Sequence, residues 1–308
     1  MYKTELDKKL TRNICVTLLI FTLFLFFKNP SQAYASEYEN KNPPKGIVLQ
    51  DNKYINNKDN SVMAFIAAGE FIMGDNNGSY NEKPEHKVYL DSYLIDIYEV
   101  TNAQFEKFIS DTGYKPNGPW RRGYGQLQEN HPVRFVTWQD ASAYAKWAGK
   151  RLPTEAEWEK AAKGTKNSKY PWGNNRDNNF VIKDKSFKSY EADAFSDGRS
   201  EYGCFNMGGG VWEWTKDWYD RYYYEQADIN KVSINPKGPE DNAKPEQRFL
   251  NTEWNAAGNE RSTLKVIRGG GNWSAWAKDN ARTSKRSWGN PSYWFNDTGF
   301  RCAKSIED

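Results

Sequence analysis

Short aromatic segments separated by Gly, Asn and Asp make up most of the chain after residue 170. Because these three residue types favour turns, long helices or strands are not expected in this half. The chain contains 13 Trp, 19 Tyr and 16 Phe, and such rings build a core or line a groove. The pattern predicts an α+β fold with few regular elements and much ordered loop, in one domain over residues 61–308.

Three helices are predicted before residue 170. Thr101 or Asn102 caps the first helix, which ends at Gly113. The second follows the sequence HPVRFVTWQD and ends at Gly149. Thr154, with a glutamate three residues later, forms a capping box at the start of the third. The apolar segment MAFIAAGEFIMG, residues 63–74, has the pattern of a β-hairpin.

The first 35 residues have the features of an export signal. A basic start precedes Ile14–Phe27, an apolar run of fourteen residues, and Ala33–Ala35 offer a small-x-small cleavage site. Because a membrane span needs roughly 20 residues, cleavage is favoured over an uncleaved anchor. The sequence predicts a signal peptide over residues 1–35, a polar linker over 36–60 and an exported protein, periplasmic or extracellular, that contacts a membrane only if the signal stays uncleaved.

The charge balance excludes one class of partner. The signal segment carries five basic and two acidic residues, a net charge of +3, and the whole chain is also +3. The remainder of the chain is therefore close to neutral. It contains no basic stripe interleaved with aromatic residues, so no nucleic-acid partner is expected.

Seven motifs, in this order, carry a family resemblance: GEFIMG, YEVTNAQFEKFI, HPVRFVTWQDASAYAKWAGKRLPTEAEWEKAAKG, YPWGN, GCFNMGGGVWEWTKDWY, VIRGGGNW and TGFRCAKS. From about residue 65 to the C-terminus the chain resembles the formylglycine-generating enzyme, or sulfatase-modifying factor, family. The resemblance implies a compact domain related to the C-type-lectin fold, with structural calcium. It also implies an activity, the copper-dependent oxidation by O₂ of a cysteine in an exported sulfatase to formylglycine.

The family's reaction uses two cysteines in the loop after the RGG motif, and this chain has neither. On the resemblance, the first falls on Ser274 and the second, after a one-residue deletion, on Lys278 or Asp279. Cu(I) prefers soft thiolate ligands, whereas a hydroxyl binds it poorly and an ammonium repels it. We therefore expect no copper centre. The same loop region keeps Trp273, Trp276, Arg282 and Arg286, which could stack on and orient a substrate.

A calcium site is the cofactor prediction that remains. The resemblance assigns its ligands to the side chains of Asn206 and Glu213 and to the backbone carbonyls of Gly209 and Val211, all hard oxygen donors. The alternative is a glycine-rich turn that leads into an aromatic strand. A second family calcium site would lie over residues 179–193, but this stretch is short and lysine-rich here, which argues against it.

Other reactive side chains are predicted to be structural. Cys204 and Cys302 could form a disulfide in an oxidising exterior, although spacing alone leaves the pairing open. The resemblance places the usual disulfide partner of Cys302 at Ala145, so a buried free thiol is favoured there. With two histidines a three-histidine iron site is excluded by count, and both are predicted to be scaffold residues. The glutamates of LPTEAEWEKAAK are assigned to helix capping rather than catalysis.

Two functions follow from these observations. The first is a calcium-braced binding or maturation factor that holds an exported protein or peptide, or a small-molecule substrate, in a tryptophan-lined groove. The alternative is an oxidoreductase, of the formylglycine-generating or a related type, that tailors a protein or a small molecule without the cysteine pair. The first is favoured because the loop has lost its sulfur donors.

Overall fold

Threonine caps begin the three main helices. The computed structural model describes residues 43–175, 189–239, 264–270 and 277–306. Its helices α1, α2, α3 and α4 span Asn102–Thr112, Trp138–Trp147, Glu155–Lys163 and Ala277–Asn280. Thr101, Thr137 and Thr154 each form a capping box with the residue three positions on, and α1 ends at Gly113, which has a left-handed φ of 66°. The three helices predicted from the sequence are therefore confirmed.

The described part of the chain also forms three sheets. The five-stranded sheet consists, in spatial order, of β1 (Ile47–Gln50), β2 (Lys53–Asn56), β3 (Val62–Ile66), β6 (Tyr93–Asp96) and β12 (Ala303–Ser305). The four-stranded sheet consists of β10 (Ser287–Gly289), β9 (Lys265–Arg268), β7 (Trp212–Trp218) and β11 (Thr298–Gly299). The three-stranded sheet consists of β4 (Gly69–Met73), β5 (His86–Leu90) and β8 (Ser233–Ile234). The strands are short and the connections long, which is the predicted α+β arrangement.

The hairpin predicted over residues 63–74 is wrong. Both strands exist, but β3 pairs with β2 and β6 in one sheet, whereas β4 pairs with β5 in another. The chain thus changes sheets between Ile66 and Gly69. Local sequence indicated where the strands lie but not their partners, because pairing is decided by strands outside the segment itself.

The polar linker predicted over residues 36–60 is also wrong from β1 onward. Strands β1 and β2 pair with each other, and β2 joins the edge of β3. Ile47 packs against Met63 and Leu94 in a small core cluster. Pro43–Asp308 forms one compact unit, so the domain begins before the predicted boundary at residue 61. Among the described residues, every helix is too short or too polar to span a bilayer.

Aromatic rings fill the space between α1, α2 and the C-terminal strands. Phe105 packs against Phe108, Trp120, Tyr144 and Phe300, with ring centroids 5.3–6.4 Å apart. Edge-to-face and offset contacts at such distances add to the free energy gained from burial. The aromatic composition therefore supplies the core of this half of the domain.

A buried lysine fastens the N-terminal strands to the helices. Lys150 follows α2, and its Nζ lies 2.8 Å from a carboxylate oxygen of Asp59 and 2.9 Å from one of Asp96. It also donates to the hydroxyl of Ser61. The two acidic side chains are almost fully buried, so this cation neutralises charge that water does not reach.

We expect Lys150→Met to lower the free energy of unfolding by about 3–5 kcal/mol, because it leaves Asp59 and Asp96 buried without a counter-charge. Urea unfolding followed by circular dichroism measures the change. The control is Lys146→Met at an exposed position of α2, expected to change stability by less than about 0.5 kcal/mol. Equal effects of the two substitutions would contradict the assignment.

Candidate functional site

The loop that follows the RGG motif is closed at its base. Strand β9 ends at Arg268, and Gly269 and Gly270 follow with left-handed φ values of 98° and 71°. A Cβ at Gly270 would lie 2.4 Å from the carbonyl oxygen of Asn280, the last residue of α4. Only glycine permits this approach and this backbone conformation. The two ends of the segment 270–280 are therefore in contact.

The residues predicted to bind substrate in this loop lie mostly outside the described residues. This applies to Trp273 and Trp276, and also to Ser274, which stands at the first copper-cysteine position. Lys278 belongs to α4, but its side chain also lies outside the described part. Asp279 is half-buried on the same helix. The structure accordingly describes the residues on either side of this loop, which support it, and not its tip at residues 271–276.

Arg268 forms the centre of that support. Its buried guanidinium donates to Glu155 at 2.8 Å and to Glu159 at 2.7 Å, and also to the carbonyl oxygen of Thr283. It lies over the ring of Trp158, 5.2 Å from the centroid. Because Thr283 follows α4, one side chain ties α3 to the chain on both sides of the loop.

Arg286 was predicted to orient a substrate, but the structure places it inside the protein. Its side chain is 1% exposed and donates to both carboxylate oxygens of Glu155, at 2.7 and 3.0 Å. It also donates to the carbonyl oxygens of Asn81 and Asp220 and lies 4.2 Å from the centroid of Tyr224. Burial of a guanidinium requires such pairing, so Arg286 belongs to the scaffold in this structure.

Arg282 has a similar environment. It is 9% exposed and forms a two-fold ion pair with Glu82, whose carboxylate also accepts a hydrogen bond from Ser284. Burial raises the pKa of Glu82, but hydrogen bonds and charge from Arg282 outweigh it and hold the pKa below its usual value. Both arginines predicted to orient a substrate are therefore buried and paired with glutamates in this structure.

The glutamates of α3 are structural, as predicted, although capping accounts for only one of them. Glu157 completes the box with Thr154 and pairs with Arg151 at 2.7 Å. The other two are held by ion pairs. Burial raises the pKa of Glu159, but the charges of Lys163 and Arg268 have the larger effect in the opposite direction. The resulting pKa is about 2. A carboxyl group this acidic is permanently ionised and cannot serve as a general acid near neutral pH.

Asp217, on β7, is the acid beside this network with a raised pKa. One of its oxygens accepts the backbone N–H of Glu155 at 2.8 Å, at the start of α3. Burial, followed by the negative charge of Glu155, raises its pKa to about 7. The side chain is 3% exposed, so a ligand in solvent does not reach it. We therefore assign Asp217 to holding the first turn of α3 rather than to proton donation.

The two described cysteines are buried free thiols. Cys204 and Cys302 are each 0% exposed and do not pair with each other. Burial raises the pKa of Cys204 to about 11 and that of Cys302 well above its usual value. Metals bind the thiolate form, so neither is suited to copper. Cys302 packs in the same core cluster as Ala145, as the missing family disulfide implies.

The two histidines make scaffold contacts. His131 Nδ1 lies 2.8 Å from the hydroxyl of Ser189, and His86 Nδ1 lies 2.9 Å from the carbonyl oxygen of Pro84. Burial lowers the pKa of His131. The described residues contain no cluster of three His, Cys, Asp or Glu side chains arranged to hold a metal ion.

The predicted calcium loop lies directly against the base of the RGG loop. Val211 and Glu213 line the approach to Gly269, where an added Cβ would be 3.3 Å from the Val211 carbonyl oxygen. Glu213 is fully buried, and its oxygens accept from Arg301 at 2.6 and 2.7 Å and from the indole of Trp158 at 2.9 Å. These three hydrogen bonds use three of about four acceptor positions of the carboxylate.

Two observations test whether calcium fits these residues. The amide nitrogen of Asn206 donates to Glu99 and to the Ala192 carbonyl, and no hydrogen bond within the described residues occupies its amide oxygen. Glu99 and Glu213 are both buried and share the single positive charge of Arg301. Burial and then Glu213 raise the pKa of Glu99 to about 8. The raised pKa shows that one arginine does not balance two buried carboxylates, and a divalent cation beside these hard oxygen donors would favour the ionised form of both.

Sequence reasoning missed Glu99, and one signal could have found it. A Cβ at Gly210, where the family usually has asparagine, would lie 2.2 Å from a carboxylate oxygen of Glu99. Glu99 instead accepts the backbone N–H of Val211 at 2.9 Å. Because Gly210 has no side chain, the carboxylate of Glu99 fits beside it, although the two residues are far apart in the sequence. The stretch 179–193, over which a second calcium site was not expected, lies largely outside the described residues.

The described domain combines few helices, three sheets of short strands and a glycine-based turn beside two buried glutamates. Residues 50–306 match the family described as sulfatase-modifying factor enzyme 1-like domain, and the chain belongs to that family. The resemblance found in the sequence is thereby confirmed. The family establishes the fold, while the chemistry has to be argued from the site.

Relatives differ in how much of them this chain covers. It is 31% identical over 303 residues to the formylglycine-generating enzyme of Thermomonospora curvata, covering 78% of this chain and 92% of that protein. It is 34% identical over 266 residues to the serine/threonine-protein kinase pkn1 of Chlamydia caviae, covering 80% of this chain. The chain spans only 38% of that relative's length. The kinase activity in its name is therefore not carried over to this chain.

Solved structures confirm the fold. PvdO from Pseudomonas aeruginosa superposes with a TM-score of 0.60 at 22% identity, over 86% of this chain and 100% of that one. CarF superposes with a TM-score of 0.51 at 16% identity, over 80% of this chain and 98% of that one. At these identities the likeness concerns the backbone architecture only.

We expect Asp217→Asn to remove a pH dependence of stability. The folded-state pKa of about 7 exceeds the ordinary value of 3.8, so the stabilisation from this group is complete below pH 4 and is lost as pH rises to 7. The wild-type free energy of unfolding should fall across this window relative to the variant, with a slope of up to about 1.4 kcal/mol per pH unit.

Urea unfolding at a series of pH values between 4 and 8 measures this difference. Asp197→Asn, at an exposed position, is the control and should follow the wild-type profile. Parallel stability profiles for wild type and Asp217→Asn would show that Asp217 is ionised throughout.

Proposed function

We propose that this chain is a calcium-braced binding or maturation factor for an exported partner, without the copper-dependent oxidase chemistry of its family. The observation that carries the proposal is the composition of the RGG loop. It has Ser274, and Lys278 or Asp279, at the positions of the family's two copper cysteines. No other cysteine compensates, because Cys204 and Cys302 are buried and Cys15 belongs to the predicted signal peptide.

The chemistry of copper supports this conclusion. Activation of O₂ by the family's centre uses Cu(I) held by two thiolates, which are soft ligands. A serine hydroxyl, a lysine ammonium and an aspartate carboxylate are not soft ligands, so they do not replace the two thiolates. Arg268, Glu155 and Glu159, which support the loop, are joined by ion pairs and carry no thiolate that could hold copper.

The same architecture supports a binding role. The loop is joined at its base where Gly270 meets Asn280, and it carries Trp273 and Trp276. Tryptophan binds peptides and sugars through its ring faces with little loss of conformational entropy. Arg268 and Arg286 hold the adjoining backbone by buried ion pairs. A fixed support below two tryptophans favours recognition of a peptide, a protein segment or a small molecule.

The calcium brace is proposed for the neighbouring loop. The amide oxygen of Asn206, the carbonyl oxygens of Gly209 and Val211 and the carboxylate of Glu213 would hold the ion. Calcium would supply positive charge to a pair of buried carboxylates that otherwise share one arginine. Because this loop touches Gly269, ordering it would also order the start of the RGG loop.

We expect CaCl₂ to raise the thermal unfolding midpoint of the chelator-treated protein, because an ion that binds only the folded state stabilises it, by about 2.7 kcal/mol at 100 times its Kd. Asn206→Ala should lose most of this shift, whereas Asn230→Ala, at an exposed position, should keep it. Calorimetric titration measures the stoichiometry. A midpoint that calcium leaves unchanged in the wild type would refute the brace.

Partner capture tests the binding role. The immobilised chain is exposed to the exported fraction of its own cells, and Trp273→Ala combined with Trp276→Ala should reduce retention of its specific partner by roughly tenfold or more, since truncating an anchor tryptophan costs about 2 kcal/mol. The control is Trp288→Ala, which removes a tryptophan that is 48% exposed elsewhere on the surface. Undiminished capture by the loop variant would reject the tryptophans as the binding surface.

The second candidate function is an oxidoreductase that tailors a protein or small molecule. It is favoured by the 31% identity to a formylglycine-generating enzyme over 92% of that enzyme's length. Oxygen uptake and aldehyde formation with copper and a Cys-x-Pro-x-Arg peptide separate the candidates, with the Thermomonospora curvata enzyme as positive control. We expect no turnover by this chain. Turnover comparable to the control would replace the binding role with catalysis.

A further inference from the structure

A polar cleft of about 420 Å³ lies away from both loops of the candidate site. It is bounded by the turn between β5 and β6, the start of α3, strand β7 and the segment after β8. None of its described lining residues belongs to the calcium loop or to the RGG loop. Its volume is in the range of sites that bind small ligands or short peptide segments.

Most of the charged groups in this cleft are already paired. Arg151 and Glu157 form a two-fold ion pair at 2.7 Å, and the same guanidinium donates to the hydroxyl of Ser305. Asp91 accepts a hydrogen bond of 2.7 Å from the amide of Asn235. These contacts fix the walls of the cleft and leave the arginine committed to its glutamate.

Two lysines in the lining differ from the paired charged groups described above. Lys216, on β7, and Lys237, after β8, are exposed, and their ammonium groups form no hydrogen bond or ion pair with any other residue that the structure describes. In contrast, the buried ammonium groups of Lys150 and Lys163 each contact a carboxylate. With Asp91 counted and the arginine pair neutral, the described lining has an excess of one positive charge.

We propose that this cleft binds an acidic peptide segment, with Lys216 and Lys237 contacting its carboxylates. Lysine is a compact charge that suits a single carboxylate, whereas phosphate recognition favours a free arginine fork, and the cleft's arginine is engaged. Pro236 and Ile306 are half-exposed beside the lysines and provide apolar contact for the rest of a peptide. The inference rests on the proposed function in taking the ligand to be part of a protein.

A fluorescein-labelled hexaglutamate peptide, titrated with the full chain and followed by fluorescence anisotropy, tests the proposal. We expect saturable binding that weakens with salt, and a roughly tenfold loss of affinity in the double variant Lys216→Gln with Lys237→Gln, as two exposed charge contacts are removed. The matched control, Lys45→Gln with Lys53→Gln, makes the same charge change at two exposed positions outside the cleft and should stay within about twofold of wild type.

Equal weakening in the two double variants would overturn the proposal, since it would mean that net charge alone attracts the peptide. Displacement of the peptide by inorganic phosphate at lower concentration than by unlabelled hexaglutamate would assign the cleft to a free oxyanion instead. Trp273→Ala with Trp276→Ala should leave hexaglutamate binding unchanged, so failure of the loop's binding role and failure of the cleft are separate results.

Discussion

The buried ion pairs between Glu155 and two arginines are the interaction on which the rest of the structure depends. Glu155 sits in the first turn of α3 and accepts from Arg268 at 2.8 Å and from Arg286 at 2.7 Å. Both arginines lie far from Glu155 in sequence, so the contact fixes how the two halves of the domain meet. Charges removed from water destabilise a protein unless their partners are in place, and the network therefore selects one arrangement of α3, β9 and the chain after α4.

The described hydrogen bonds of this network come from residues outside the tip of the RGG loop. Arg268 lies directly before the loop, yet its hydrogen bonds among the described residues go to α3 and to Thr283. Glu155 and Glu159 balance the charge of Arg268, so the pairing of this arginine does not require a thiolate in the loop. The support below the loop is therefore compatible with the absence of cysteine at the positions that the family resemblance assigns to copper ligands, and family membership alone does not fix the chemistry.

Local features of the fold could be predicted from the sequence, and non-local ones could not. The starts of α1 and α3 and the end of α1 were predicted because capping threonines and a terminal glycine act within four residues. The pairing of β3 and β4 was missed because their partners lie outside the segment that contains them. In the site, the sequence motifs gave the position of the loop for which calcium is predicted and the absence of cysteine after the RGG motif. The pairing of Arg282 with Glu82 and of Arg286 with Glu155 could not be read from the sequence, because the partners are distant along the chain.

The contact between Gly270 and Asn280 forms a narrow neck at the base of the loop. Because Gly270 and Asn280 are in contact, the chain enters and leaves this segment at one place. The ion pairs of Arg268 and Arg286 with Glu155 lie outside it, so the anchorage of the neck does not depend on the side chains in between. Such an arrangement suits a surface loop whose sequence varies while the surrounding domain keeps its architecture.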